Sequence, residues 1–379
     1  MPVKNLHDKP FDEDTITKLS IFEKYANTWI PTFVMTPFYD EIWIIDFFAG
    51  PGYDKSGVEG SPIRILKQIR IQLSNIFRTS TKIHICFNEF EKDKYDSLVN
   101  SCNEYINSDE ILKRANERHF LNINFENKDV AEIFSVYVNK IKGKPALIYL
   151  DQNGVKFLAD NYFQELVKLQ HVDFLYYISS SYYVRFGNTP AFKTILNIDK
   201  NILTENGYYR CHQQLVEYLE SKIPPKSNFY LFPFSIKKGT NIYGIAFGTS
   251  HPLGIEKFLN ITWKENPING LANFDIDQDE LKSYEEDLFG NKDYTKLELF
   301  ELSLKKNLLS GKLRNNEDVY LFSLMSGHIP SQAANIIKKL KKENKIFYAE
   351  KSPLVSYEQI YKKNRIINYQ ILGEKNEFN

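Results

Sequence analysis

Between residues 42 and 178, short apolar runs of strand length alternate with segments of helical periodicity. The strand-like runs are IWIIDF (42–47), KIHICF (82–87), a short stretch at 121–125, ALIYL (146–150) and DFLYYI (173–178). Helical patterns occupy 62–77, 91–106, 129–141 and 159–169, and a further one over 13–35 leads into the first strand. Continuous apolar runs suit strands covered on both faces, and strand–helix alternation specifies a doubly wound, mostly parallel α/β sheet. Segments 229–235 and 242–248, joined by a turn at Lys238-Gly239-Thr240, read as two further strands forming an antiparallel edge. Residues 190–225 read as helical.

The first helix carries Ile16, Leu19, Phe22, Tyr25, Ala26 and Trp29 at three-to-four spacing. Ser61 is the expected N-cap of the helix after the first strand, with Pro62 in its first turn. Residues 1–40 are a helical lead-in and 41–272 the α/β domain. An acid-rich stretch, 273–300, reads as a linker or solvated helix, with Asp275, Asp277, Asp279, Glu280, Glu285, Glu286 and Asp287 facing only Lys282 up to residue 287. Residues 301–379 form a second domain. It carries 14 Lys and Arg against 8 Asp and Glu, a net of +6 in a chain whose overall formal charge is zero. Its pattern is a helix at 316–326, a turn at Gly327-His328-Ile329-Pro330, a helix at 332–343 with Ser331 as N-cap, and strand-like IFYAE (346–350) and INYQIL (367–372). Helix, turn, helix and a two-stranded ribbon is a winged-helix pattern.

Composition narrows the chemistry. Cys86, Cys102 and Cys211 form no CxxC pair, and the seven His have no HxH or HExxH spacing, so no metal site is expected. Three scattered cysteines, no apolar N-terminal h-region and no apolar run of spanning length point to a cytoplasmic chain without a membrane segment. Aromatics make up 15% of the residues, which lowers the value of any single ring as a signal.

The sharpest local motif is Asp46-Phe47-Phe48-Ala49-Gly50-Pro51-Gly52, where the first strand ends. Glycines there let backbone approach a ligand in the crevice beyond the strand ends. The following helix starts too late for a dinucleotide fingerprint, so NAD fits poorly. The second strand ends at Asn88-Glu89, where an acid can accept from both ribose hydroxyls of a nucleoside. Asp129, after the third strand, either receives an adenine amino group or caps the next helix. Asp151-Gln152-Asn153-Gly154 follows the fourth strand, at the position that faces the transferable group in this topology.

Asp-x-Phe-Ala-Gly-Pro-Gly followed by Gly60-Ser61-Pro62 resembles the first motif of Rossmann-type S-adenosylmethionine-dependent methyltransferases. More narrowly it resembles the three-Cys-motif partner family, TcmP. Phe87-Asn88-Glu89 through Leu98, Phe174–Phe186 and the Phe247-Gly248-Thr249-Ser250-His251-Pro252-Leu253-Gly254 block running to Trp263 resemble further stretches of that family. The likeness spans about residues 15–350. It implies a class I methyltransferase-like domain with a C-terminal winged helix, and S-adenosylmethionine held by Asp46, Phe48, Ala49, Gly50, Pro51, Gly52, Glu89 and Asp129. Asp151 and Asn153 are the expected catalytic pair, orienting or deprotonating an acceptor. The resemblance also implies a partner protein with a three-cysteine motif, similar to radical S-adenosylmethionine enzymes, in a mobile-element or phage-defence setting. The family's Asp-Pro-Phe-Gly is Asp151-Gln152-Asn153-Gly154 here, which lacks the proline and the ring and weakens an expectation of base N-methylation. Phe157 is the nearest substitute ring, and His251 is a candidate acid or base whose commoner role is to cap a helix.

The helical spacing places Lys338, Lys339, Lys341 and Lys342 on the outer face of helix 332–343, with Ala334, Ile337 and Leu340 inward. On a recognition helix such lysines neutralise phosphates of DNA or RNA. The competing expectation is a catalytically inactive methyltransferase-fold scaffold that binds DNA or a partner protein through the winged helix.

Overall fold

The computed structural model describes residues 10–152, 156–179, 210–239, 241–282 and 293–372. In the first unit the elements are α1 (Glu13–Val34), β1 (Glu41–Asp46), α2 (Ser61–Thr79), β2 (Lys82–Asn88), α3 (Lys92–Ser108), α4 (Glu110–Glu117), β3 (Leu121–Glu126), α5 (Val130–Lys140), β4 (Ala146–Leu150), a 3-10 turn (Lys156–Leu158), α6 (Asp160–Val167), β5 (Val172–Ser179), α7 (Cys211–Glu220), β6 (Tyr230–Lys238) and β7 (Asn241–Thr249). All seven strands form one sheet in the order β3-β2-β1-β4-β5-β7-β6. β1 through β5 are parallel, and β7 lies antiparallel between β5 and β6. This is the class I methyltransferase arrangement of the doubly wound sheet. The order reverses between β1 and β4, so the crevice for a ligand opens beyond the C-terminal ends of those strands.

The core explains the run-on apolar strands. Ile42, Ile44, Ile45, Leu147, Ile148 and Leu150 are all fully buried. α1 packs through a stripe at helical spacing: Phe22 stacks on Tyr149 of β4 at 4.1 Å, and the Tyr25 hydroxyl donates to Asp173 of β5 at 2.6 Å. Each fully buried ring of this kind stabilises the fold by roughly 1.5–3 kcal/mol.

The structure departs from the expected elements of the first unit in two places. Ser61 is not the N-cap of α2; Gly60 is, and the Ser61 hydroxyl turns back to Asp46 instead. The segment read as one helix, 91–106, is followed by a separate helix, α4. Asp109 breaks the helical path with an extended backbone, caps α4 by accepting from the Ile111 and Leu112 amides, and pairs with Arg70 at 2.7 Å. Of the helix expected over 190–225, α7 lies in described residues, whereas 190–209 falls outside them.

By internal packing the chain divides into two units, 1–254 and 255–379. A helix, α8 (Pro252–Glu265), runs across that division. The second unit continues with α9 (Asp279–Lys282), α10 (Lys296–Leu309), α11 (Asn316–Met325), α12 (Pro330–Lys342), β8 (Ile346–Phe347), a π-helical turn (Glu358–Lys362) and β9 (Gln370–Ile371). α10 opens with a reciprocal capping box between Thr295 and Glu298. α12 is capped at Ile329 with Pro330 in its first turn, two residues ahead of the expected Ser331. β8 and β9 pair antiparallel, forming the ribbon. Asn316, fully buried, ties the chain between β8 and β9 to α11 through the Leu354 and Arg365 carbonyls and the Ile367 amide.

Candidate functional site

Four strand ends converge on the crevice. Asp46 closes β1 and is 0% exposed. Its Oδ2 accepts from the Ser61 hydroxyl at 2.6 Å and its Oδ1 from the Phe48 amide at 3.1 Å. Burial pushes its carboxyl up to about 7, against the lowering effect of those two donors. Asp46 therefore holds the loop and the start of α2 together from inside.

The loop itself depends on glycine. Gly50 and Gly52 have φ of 66° and 91°, backbone that other residues rarely adopt. A Cβ on Gly52 would lie 2.8 Å from Ser101 Cβ, and one on Gly60 would lie 3.0 Å from the Gly52 carbonyl oxygen. The Gly60 amide donates to that carbonyl at 2.8 Å, which closes the loop.

Glu89 stands immediately after β2. One carboxylate oxygen accepts from the Gly50 amide at 3.1 Å and the other from the Glu91 amide at 2.9 Å. Burial raises its carboxyl above the ordinary value. Two backbone donors fix its orientation and leave further lone pairs toward the crevice. Asn88, which sequence reading passed over, is the clamp beneath it. The Asn88 side chain donates to the Phe47 and Lys128 carbonyls and accepts from the Lys128 amide, joining the ends of β1, β2 and β3. Asp129 caps α5 through the Ala131 amide at 2.8 Å and lies 3.6 Å from Lys156 Nζ.

Asp151 follows β4. Its Oδ2 meets Lys18 Nζ of α1 at 2.5 Å. Lys18 is only 6% exposed and its ammonium also lies 4.1 Å over the Tyr177 ring. The sequence did carry a signal for this residue. Lys18, Phe22, Tyr25 and Trp29 fall on one helical stripe, so Lys18 is a charge on the buried face of α1.

Gln152 is buried and accepts from the Phe157 amide at 2.9 Å. That bond anchors the 3-10 turn. Phe157 is packed against Phe48, Phe134 and Tyr162 and is not a free ring. Asn153 and Gly154, like Phe186 and the rest of 180–209, lie outside the described residues.

The His-Pro block has an internal role. The Thr249 hydroxyl donates to Asp173 at 2.5 Å, the His251 amide donates to the Thr249 oxygen at 3.2 Å, and a Cβ on Gly254 would lie 2.4 Å from that oxygen. His251 Nδ1 accepts from the Leu253 amide at 3.1 Å, capping the start of α8.

In the second unit the four expected lysines separate. Lys338 and Lys342 are exposed. Lys339 pairs with Glu301 at 3.1 Å. Lys341, read as outward-facing, is half-buried: it donates to the Tyr348 and Glu350 carbonyls and lies 3.9 Å over the Tyr348 ring. Lys296, missed in the sequence, is half-buried over Trp263 and donates to the Asn269 carbonyl at 2.7 Å; desolvation lowers its ammonium to about 8.

The acceptors at these strand ends fit the ribose and adenine donors of S-adenosylmethionine. The Gly50 amide and Glu89 are joined at the loop, Glu89 offers oriented acceptor lone pairs, and Asp129 and Asp151 stand at the neighbouring strand ends. Among the described residues no cluster of three His, Cys, Asp or Glu side chains is placed to hold a metal ion, and no helix is long and apolar enough to cross a membrane.

Residues 275–352 match a family model described as a GMT-like wHTH domain. The match begins inside the acid-rich stretch 273–300 and ends before β9. No curated protein matches the chain. Among solved structures, the O-methyltransferase TomG from Streptomyces achromogenes, in complex with S-adenosylmethionine, is similar at 12% identity with a TM-score of 0.32, over 63% of this chain and 90% of that one. A protein in the NADB-Rossmann superfamily from Streptococcus agalactiae is similar at 12% identity with a TM-score of 0.27, over 88% of this chain and 100% of that one.

Proposed function

We propose that the first unit binds S-adenosylmethionine and transfers its methyl group, and that the winged-helix unit brings a nucleic acid to the protein. The observation that carries the first part is the loop Gly50–Gly52 bonded to Glu89 at the switch point of the sheet. In this reading Glu89 holds the ribose hydroxyls, Asp129 meets the adenine, and the Gly50–Gly52 backbone accommodates the methionine part, with Phe48, Ala49 and Pro51 shaping the loop. S-adenosylmethionine supplies an already activated methyl group, so the protein's work is to position and desolvate an acceptor. Asp151 orients that acceptor, joined by Asn153. The exposed Lys338 and Lys342 contact phosphates. The resemblance to the three-Cys-motif partner family further supports a three-cysteine partner protein and a mobile-element or defence setting in the cytoplasm.

Calorimetric titration with S-adenosylhomocysteine tests the pocket. Micromolar binding by wild type, reduced about tenfold or more in Glu89→Ala and Gly50→Asp, is the expected result. A well-folded wild type that binds neither S-adenosylmethionine nor its product refutes the reading and leaves a winged-helix scaffold.

A further inference from the structure

We infer that the end of β4 takes a methyl acceptor whose reacting atom is an ionisable oxygen, not an exocyclic amine, and that Lys18 selects it. The inference rests on the methyl-transfer reading above.

An amine acceptor needs hydrogen-bond acceptors converging on its protons. Here the groups around Asp151 include three that can donate. Lys18 Nζ has three protons, of which Asp151 Oδ2 takes one at 2.5 Å. The Tyr149 hydroxyl is buried and has no hydrogen-bond partner among the described residues, and its electrostatic neighbours include Asp151, Asp46 and Tyr177. The Gln152 Nε2 amide is likewise buried without a partner among them, while its Oε1 is fixed by Phe157. Buried donors of this kind each carry a desolvation cost that an acceptor-rich ligand relieves. The Asp151 side chain is 25% exposed and Lys18 only 8%, so a ligand reaches the pair from the Asp151 side.

Charge points the same way. Methylating a neutral amine leaves a cation on nitrogen until a proton departs, and a buried ammonium opposes that cation. Asp151 balances the Lys18 charge in the unliganded pair, so an oxyanion is favoured where it replaces Asp151 as the partner of the ammonium. The acceptor oxygen loses its proton to solvent, then gives a lone pair to the methyl carbon as the C–S bond breaks; the bonding pair stays on sulfur, and the product is a neutral methyl ether or ester. Tyr177 beneath the ammonium keeps Lys18 in place without competing for its protons as a carboxylate would.

The test uses 4-nitrophenol, whose phenolate absorbs separately from its phenol, at a pH below its own pKa and in the presence of S-adenosylhomocysteine. Bound probe is expected as phenolate in wild type and Lys18→Arg. Lys18→Met is expected to lose the phenolate band and about tenfold in affinity. Asp151→Asn, which frees Lys18 of its carboxylate, is expected to keep or strengthen the band, and it serves as well if Lys18→Met fails to fold. Three results overturn the inference: no phenolate band with S-adenosylhomocysteine bound, equal bands in wild type and folded Lys18→Met, or labelled methyl recovered on the exocyclic amine of an oligonucleotide. A failure of S-adenosylhomocysteine itself to bind is a different result: it removes the methyl-transfer reading, and this inference with it.

Discussion

The Ser61 hydroxyl donates to the Asp46 carboxylate across 2.6 Å, fastening the first residue of α2 to the last residue of β1. The bond is wholly buried, so its loss leaves a carboxylate oxygen without a donor. Ser61→Ala is expected to destabilise the first unit by about 1.5–3 kcal/mol, read from urea unfolding. An unchanged midpoint would place the load on the Phe48 amide instead.

Asp46 also sets a pH dependence. Its folded value, about 7, lies above the ordinary 3.8 because burial disfavours the charged form. The folded protein thus holds more protons than the unfolded chain between those two values. Stability from this group is fully present below the unfolded value and is lost as pH rises toward about 7. Asp46→Asn removes the titration. Relative to wild type, the variant's urea midpoint should climb between about pH 4 and pH 7 and then level off; a flat difference across that window counts against the assignment.

Gly52 tests the loop by sterics. With φ at 91° and Ser101 Cβ 2.8 Å from the built Cβ, Gly52→Ala is expected to cost about 1–3 kcal/mol and to weaken S-adenosylhomocysteine binding together. Differential scanning fluorimetry and calorimetry read the two effects. Full stability with full affinity would show that the loop adjusts without strain.

Thr249 separates structure from chemistry. Thr249→Val removes the donor to Asp173 and should cost about 1.5–3 kcal/mol, while the affinity for S-adenosylhomocysteine of the protein that remains folded should hold. A selective loss of affinity at unchanged stability would bring the His-Pro block into the site.

The lysines of α12 divide by environment. The Lys338→Ala, Lys342→Ala double variant should lower the slope of log affinity against log salt for duplex DNA by about 2, without a change in melting temperature. Lys341→Ala should instead lower the melting temperature, because it leaves the Tyr348 and Glu350 carbonyls without their donor. The reverse pattern would make Lys341 the phosphate contact.

The sequence by itself determined the doubly wound sheet, its antiparallel edge and the places where strands end. Those features are local: a strand covered on both faces must be apolar along its length, and a sharp turn at a strand end must use glycine. Asp46, the Gly50–Gly52 loop, Glu89 and Asp151 were therefore legible as neighbours of the crevice. Tertiary structure alone decided what each carboxylate meets. Asp151 finds Lys18 from 133 residues away, and Asp173 finds both Tyr25 and Thr249. Asn88 reads as an ordinary polar residue until three strand ends are side by side, and Lys341 reads as surface until the chain after α12 folds back beneath it. A charge's partner depends on which distant segments the apolar stripes bring together, and spacing along the chain records the stripes but not their meeting.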